Sequence, residues 1–225
     1  MLNIILETKD IIIVNKPAGQ LSQGAKGFDL DLVSEVMTYN ASQGKPAYAA
    51  IINRLDRPVS GLVLIARNKS AAAKYSTLMQ KEGGFNKQYE ALICGKLSEP
   101  KGTFVDYLKK DGRTNTSAVV PSDAAANDKE AKLSKLEYDV ISYDEVKDIT
   151  HVRIHLITGR HHQIRVQFAS RRHPLVGDYK YATADCGMDN AVKAVALKRN
   201  QIALCAVSLT IENETFRVTP EFSIG

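Results

Sequence analysis

The chain has 225 residues, 44% of them apolar and 24% charged, the balance of a globular protein with enough apolar material for a sizeable core. No apolar run approaches the roughly 20 residues needed to cross a bilayer, and the start MLNIILETKD lacks a signal-peptide pattern. Lys and Arg outnumber Asp and Glu by 30 to 25, which suits a polyanionic partner without requiring one, while Cys94, Cys186 and Cys205 form no Cys-x-x-Cys pair, which argues against a disulfide scaffold or thiolate zinc site and for a reducing cytoplasm.

Taken in chain order, Ile11–Val14 is a β-branched run stopped by Asn15-Lys16-Pro17-Ala18-Gly19, a strand and its turn. Leu30–Tyr39 sets Leu32, Val33, Val36 and Met37 on one face and predicts a helix. Leu62–Ala66, opened by Gly61, predicts a buried strand. Asn68–Glu82 predicts a helix capped by Asn68, with Ala71, Ala72, Tyr75, Leu78 and Met79 inward and Gly83 as terminator. Lys87–Cys94, Lys132–Ile141 and Thr150–Ile157 are strand-like, and Pro121–Glu130 is a polar loop and the most mobile stretch expected. Thr150–Ile157 alternates Val152, Ile154 and Leu156 with His151, Arg153 and His155, one face apolar and the other cationic. Arg160–Ser170 predicts a helix with Ile164 and Phe168 inward. Strands outnumber helices and do not alternate regularly with them, so the expected class is α+β with a mixed, largely antiparallel sheet and flanking helices.

The charge is unevenly placed. The 29 residues from Ile149 to Gly177 contain no carboxylate, yet they hold five arginines and all five histidines of the protein. Such a segment is either a solvated basic face or the footprint of a phosphate-bearing partner. A metal site among the histidines is not expected, because His151 and His155 stand about 13 Å apart on a strand and no cysteine or carboxylate accompanies them. The chain has no Gly-x-Ser-x-Gly, Walker or Gly-x-Gly-x-x-Gly sequence, the signatures of a hydrolase elbow or nucleotide cradle.

The segment Asn53-Arg54-Leu55-Asp56-Arg57-Pro58-Val59-Ser60-Gly61 places one carboxylate between two guanidiniums just before a buried strand. By itself this is either an ordinary surface ion pair or an ionised nucleophile or base, and not a general acid. The lone carboxylate also argues against a glycosidase, which normally needs two. With three further segments the first alternative loses. Arg54-Leu55-Asp56 with Ser60-Gly61-Leu62 resembles the catalytic loop of the RluA-type RNA pseudouridine synthases. Asp10–Leu21 is similar to their opening motif, Lys87-Gln88-Tyr89-Glu90-Ala91 to their Lys-x-Tyr-x-Ala strand, and Leu156–Val166 with Pro174–Asp178 to their third motif. The four matches keep the family's order.

The resemblance implies that Asp56 promotes cleavage of the uridine glycosidic bond, that Tyr89 packs on the base and helps to remove the proton from carbon 5, and that Arg165 pairs with Asp56. It implies that Arg54 enters the space left by the flipped nucleotide, with Arg57, Arg160, His162, Arg171 and Arg172 as candidate phosphate contacts in a basic central cleft. No cofactor or metal is implied. The expected partner is ribosomal or transfer RNA, with no membrane and no obligate protein partner, the protein being a cytoplasmic monomer. Residues 1–225 are expected to form one catalytic domain without a separate N-terminal RNA-binding domain. A non-catalytic RNA-binding or RNA-folding factor on the same scaffold is the competing reading. Three positions depart from the family pattern: Asn53 where His is common, His161 where a small hydroxyl residue is usual, and Cys205 where His is frequent. Altered anchoring of the Asp56 loop is expected from the first of these.

Overall fold

A computed structural model describes residues 2–24, 30–81 and 83–224. The chain runs through strands β1 (Ile4–Glu7) and β2 (Ile11–Lys16), helix α1 (Leu32–Ser42), strands β3 (Ala50–Ile51) and β4 (Ser60–Ala66), and helix α2 (Lys69–Gln80). Strands β5 (Phe85–Cys94), β6 (Lys101–Asp111) and β7 (Thr116–Val120) precede the short helix α3 (Ser122–Ala125), and strands β8 (Lys132–Asp144) and β9 (Ile149–Leu156) follow it. Helices α4 (Gln163–Ala169) and α5 (Met188–Ala194) and strands β10 (Leu204–Ile211) and β11 (Glu214–Arg217) complete it. This is the expected α+β composition, with mostly antiparallel strand pairs. Among the described residues no helix is long and apolar enough to cross a membrane.

Two compact units form. The first comprises Met1–Asn86, Arg199–Gln201 and Cys205–Pro220, and the second Lys87–Lys198, Ile202–Leu204 and Glu221–Gly225. In the first, β2 lies between β1 and β4, antiparallel to both, in a register that runs from Ile11↔Ala66 to Lys16↔Gly61. On its other side β4 meets β10 in parallel through Cys205↔Ser60 and Ala206↔Gly61, and β11 pairs antiparallel with β10. All seven residues of β4 are buried, which is why Leu62–Ala66 is an unbroken apolar run and not an alternating one. Ile11, Ile13, Leu62 and Leu64 pack with Ala71 and Tyr75 of α2 and Leu209 and Ile211 of β10. Each such buried aliphatic side chain contributes about 1.5–3 kcal/mol.

Gly61 permits the parallel contact. Its φ is +118°, and a Cβ there would lie 2.4 Å from the Ala206 carbonyl oxygen and 2.5 Å from the Ala206 nitrogen. Only a residue without a side chain lets the two backbones approach so closely.

The second unit is an antiparallel sheet in the order β5-β9-β8-β6-β7. On β9, Val152, Ile154 and Leu156 are buried while Arg153 is exposed, matching the predicted alternation. Phe168 of α4 packs edge-on against Phe104 of β6 and Tyr138 of β8, with ring centroids 5.0 and 6.0 Å apart.

Element boundaries differ from the sequence expectation in instructive ways. Asn68 caps α2 as predicted, accepting the Ala71 N–H at 2.8 Å, but the helix ends at Gln80, and Glu82, its predicted last residue, lies outside the described residues. Helix α1 starts later than predicted because Asp31 supplies the cap, its Oδ1 accepting from Ser34 N at 2.8 Å. Helix α4 is shorter than predicted because His162 takes a left-handed conformation, φ 53°, which no continuing helix accommodates. Pro121–Glu130 contains α3, and Lys109 of β6 binds Asp128 at 2.8 Å and Glu130 at 3.0 Å.

Candidate active site

In the first unit, the chain between β3 and β4 carries Asp56, and side chains from distant positions brace it through its backbone. Asn53 continues the β3–β4 ladder after the main chain has left it: its amide nitrogen donates to Leu62 O at 3.1 Å and its oxygen accepts from Leu64 N at 2.7 Å. Both halves of the Asn53 amide take part in this anchoring of the loop. Ser22 Oγ donates to Leu55 O at 2.7 Å and accepts from Leu55 N at 3.1 Å. Arg57 and Gly19 exchange two bonds, Gly19 N to Arg57 O at 2.7 Å and Arg57 Nε to Gly19 O at 2.8 Å. The turn after β2 and the Asp56 loop are therefore one hydrogen-bonded structure, although some 40 residues separate them in sequence.

Lys16 closes this structure from beneath. It is fully buried, and its ammonium donates to the carbonyls of Pro17 at 2.9 Å, Gln20 at 2.8 Å and Arg57 at 3.5 Å. Burial pushes its pKa down from 10.5 to about 8, and the charge of the Asp56 carboxylate opposes that fall. The residue is readable in sequence only as part of a turn; its place after a β-branched run, in register with Gly61, is the signal that it points into the core. Asp56 itself is half-buried, and Arg54 and Arg57 are exposed.

In the second unit, Tyr89 sits buried in the middle of β5, opposite Ile154 of β9. Arg165, also buried, occupies the first turn of α4 and meets Asp178 twice, Nε to Oδ2 at 2.6 Å and Nη2 to Oδ1 at 2.8 Å. Its Cζ lies 5.1 Å from the centre of the Tyr181 ring. A two-pronged carboxylate fixes the plane of a guanidinium, so Asp178 orients Arg165. Asp178 ends the third motif and is the first carboxylate after the acid-free segment, a signal the sequence reading did not use.

His162 departs from the role expected for it. It is 9% exposed, its Nδ1 is 2.6 Å from Tyr181 Oη, and its ring stacks on His161 at 3.8 Å. Burial, with the charge of Arg165 next in weight, pushes its pKa from 6.5 to about 3, so at neutral pH it has no positive charge to offer a phosphate. His161, in the place of a small hydroxyl residue, is held by Ser117 Oγ at 2.9 Å from its Nδ1.

Several of the basic residues are matched by carboxylates from other strands. Arg171 binds both oxygens of Asp106 at 3.0 Å and lies over the Phe104 ring at 4.0 Å. Glu90 of β5 is 3.2 Å from His151 and 3.1 Å from Arg153, and Glu137 of β8 is 3.8 Å from His155. On the face of β9 predicted to be cationic, Arg153 is therefore matched by Glu90 of the neighbouring strand. Arg160 is exposed with its Nε on Leu133 O at 2.9 Å, and Arg172 is exposed. Gln163 fixes the turn between β9 and α4, its Oε1 accepting from Thr158 Oγ1 at 2.8 Å and Arg160 N at 2.9 Å. Among the described residues no group of three or more His, Cys, Asp or Glu side chains is arranged to hold a metal ion.

Comparison with known proteins places these features in one context. A family described as RNA pseudouridylate synthase matches residues 10–170. Ribosomal large subunit pseudouridine synthase D of Buchnera aphidicola is 33% identical over 182 residues, covering 80% of this chain and 55% of that protein. The protein of the same name from Vibrio cholerae is 31% identical over 181 residues, covering 80% of this chain and 52% of that one. The chain spans about half the length of these curated relatives. In fold it is similar to human RNA Pseudouridylate Synthase Domain Containing 1, with a TM-score of 0.74 at 24% identity over 98% of this chain and 84% of that one.

Proposed function

The chain belongs to the RNA pseudouridylate synthase family, and we propose that it isomerises a uridine in RNA to pseudouridine, with residues 1–225 acting as one catalytic domain. The relatives named as ribosomal large subunit enzymes make ribosomal RNA the first substrate to test, ahead of transfer RNA. The observation that carries the reading is the bracing of the Asp56 loop. Asn53, Ser22, Arg57 and Lys16 hold its backbone at several points while the carboxylate stays half-buried. A nucleophile must be held in place to react, and fixing the backbone on both sides of it supplies that.

In the proposed reaction, Asp56 promotes breakage of the bond between ribose and uracil nitrogen 1. The uracil turns, carbon 5 bonds to the ribose, the proton on carbon 5 leaves and nitrogen 1 gains one, so no oxidant or phosphoryl donor is needed. Tyr89 packs on the flipped base and assists the proton transfer, and Asp178 holds the plane of Arg165. Arg54 fills the gap in the RNA. Arg160 and Arg172, which are exposed, take phosphates, with Arg57.

The test is Asp56→Asn assayed against unmodified large-subunit ribosomal RNA. Wild type converts a defined uridine, and the variant loses at least about a thousand-fold in kcat while its RNA affinity stays within about threefold of wild type. Turnover by the variant overturns the role of Asp56. RNA binding without turnover by wild type on ribosomal and transfer RNA favours the non-catalytic RNA-folding reading.

A further inference from the structure

Lys87 stands two residues before Tyr89 on β5, so strand alternation puts both side chains on one face. Its side chain is half-buried, and its Nζ lies 3.7 Å from the place a Cβ would occupy on Gly159, in the turn Thr158-Gly159-Arg160. The other half-buried or buried lysines of known partner are well matched: Lys16 by three carbonyls, Lys109 by Asp128 and Glu130, Lys147 by Asp144. Lys87 differs. Among the described residues no carboxylate, carbonyl or hydroxyl is bonded to its ammonium, and burial alone, unopposed by any neighbouring charge, lowers its pKa.

A desolvated cation without an anion is costly to keep unless a ligand supplies the missing charge. The face it shares with Tyr89, and a neighbouring turn that leads into the exposed Arg160, say where that ligand would lie. We propose that Lys87 is a phosphate-binding residue, its ammonium receiving an RNA backbone phosphate adjacent to the uridine on which Tyr89 packs. The proposal deepens the reading of the chain as a pseudouridine synthase and rests on it for the identity of the ligand. A compact ammonium with three donors suits a phosphate oxygen, which carries full charge, better than it suits a uracil carbonyl, which does not. The ammonium is within van der Waals reach of the Gly159 position, which sets it beside the turn that leads to Arg160.

The experiment measures binding of an unmodified large-subunit ribosomal RNA transcript by wild type, Lys87→Gln and Lys87→Arg between 50 and 300 mM KCl, alongside KM and kcat. For Lys87→Gln the expected results are a Kd about tenfold higher at low salt and a log Kd–log salt slope reduced by about one, with kcat within twofold. Lys87→Arg keeps most of the affinity. An unchanged slope and Kd overturn the proposal, and so does a fall in kcat at unchanged slope, which would place the ammonium on the base. Should Lys87→Gln fail to fold, acetylation of wild type read by mass spectrometry decides: RNA is expected to protect Lys87, and equal labelling with and without RNA overturns the contact. Because binding is read separately from turnover, a wild type that binds but does not isomerise refutes the catalytic reading and leaves the Lys87 measurement intact.

Discussion

The Asp56 loop of the first unit and the acid-free segment of the second solve the problem of holding charged side chains in opposite ways. Around Asp56, polar side chains are used to fix backbone: Asn53 on β4, Ser22 on Leu55, Lys16 on three carbonyls and Arg57 on Gly19. Between Ile149 and Gly177, charged side chains are fixed by other charged side chains, Arg165 by Asp178, Arg171 by Asp106, and Arg153 by Glu90. The first arrangement makes a rigid platform and leaves its carboxylate half-buried. The second orients guanidiniums but removes much of their net field. A run of residues without acids in sequence is therefore no measure of the potential at the surface of a sheet, because the neighbouring strands bring the acids back.

The largest effect expected from breaking the platform is at Gly61. Gly61→Ala forces a Cβ to within 2.4 Å of the Ala206 carbonyl oxygen, so β10 must separate from β4. A loss of about 4 kcal/mol or an unfolded product is expected in denaturant titration; a stable variant would mean that the parallel contact does not support the loop. Next is Asp178→Ala, which takes the bidentate carboxylate from a buried guanidinium. Here about 3 kcal/mol of stability should be lost, with a fall in kcat alongside it. If only stability changes, Asp178 does not orient Arg165 for the reaction.

His162 sharpens the comparison through pH. Its folded pKa, about 3, lies below the usual 6.5, so the unfolded chain binds more protons between those values and stability falls as pH drops through that window. Between pH 7 and pH 5 the contribution amounts to about 2 kcal/mol, and His162→Gln should flatten that part of the stability curve. The smallest expected effect is Asn53→Ala, which leaves Leu64 N and Leu62 O of β4 without their side-chain partners, at a cost of about 1.5 kcal/mol. Asn53→His tests whether the common family residue restores the anchoring; full recovery would show that only one of the two bonds matters.

Much of the scaffold around the site is local and was legible for that reason. The β2 run and its turn, the buried β4, the Asn68 cap and the alternation on β9 follow from neighbouring residues, whose periodicity and capping chemistry report directly on their own backbone. Strands β6 and β7 are not legible locally, because β6 is rich in Lys and Asp and largely unburied, and β7 is a five-residue strand with one buried residue that forms only by pairing with β6. The buried role of Lys16 was hidden for a different reason. A lysine in a turn is ordinarily exposed, and only the convergence of three carbonyls, one of them 41 residues away in sequence, makes burial tolerable.

What the amino-acid sequence determined by itself was the set of motifs and their order: Asp56 between two arginines before a buried strand, Tyr89 on a strand, and Arg165 after the Thr158-Gly159-Arg160 turn. Those are statements about residue type and spacing, and a linear chain carries them completely. The tertiary structure decided which charges act and which are matched. His162 became neutral through burial, Arg171 turned to Asp106, Arg165 took Asp178, and Lys87 stayed half-buried with no anion of its own. Electrostatic strength depends on distance and solvent exposure, and both are set by strands that the sequence keeps far apart.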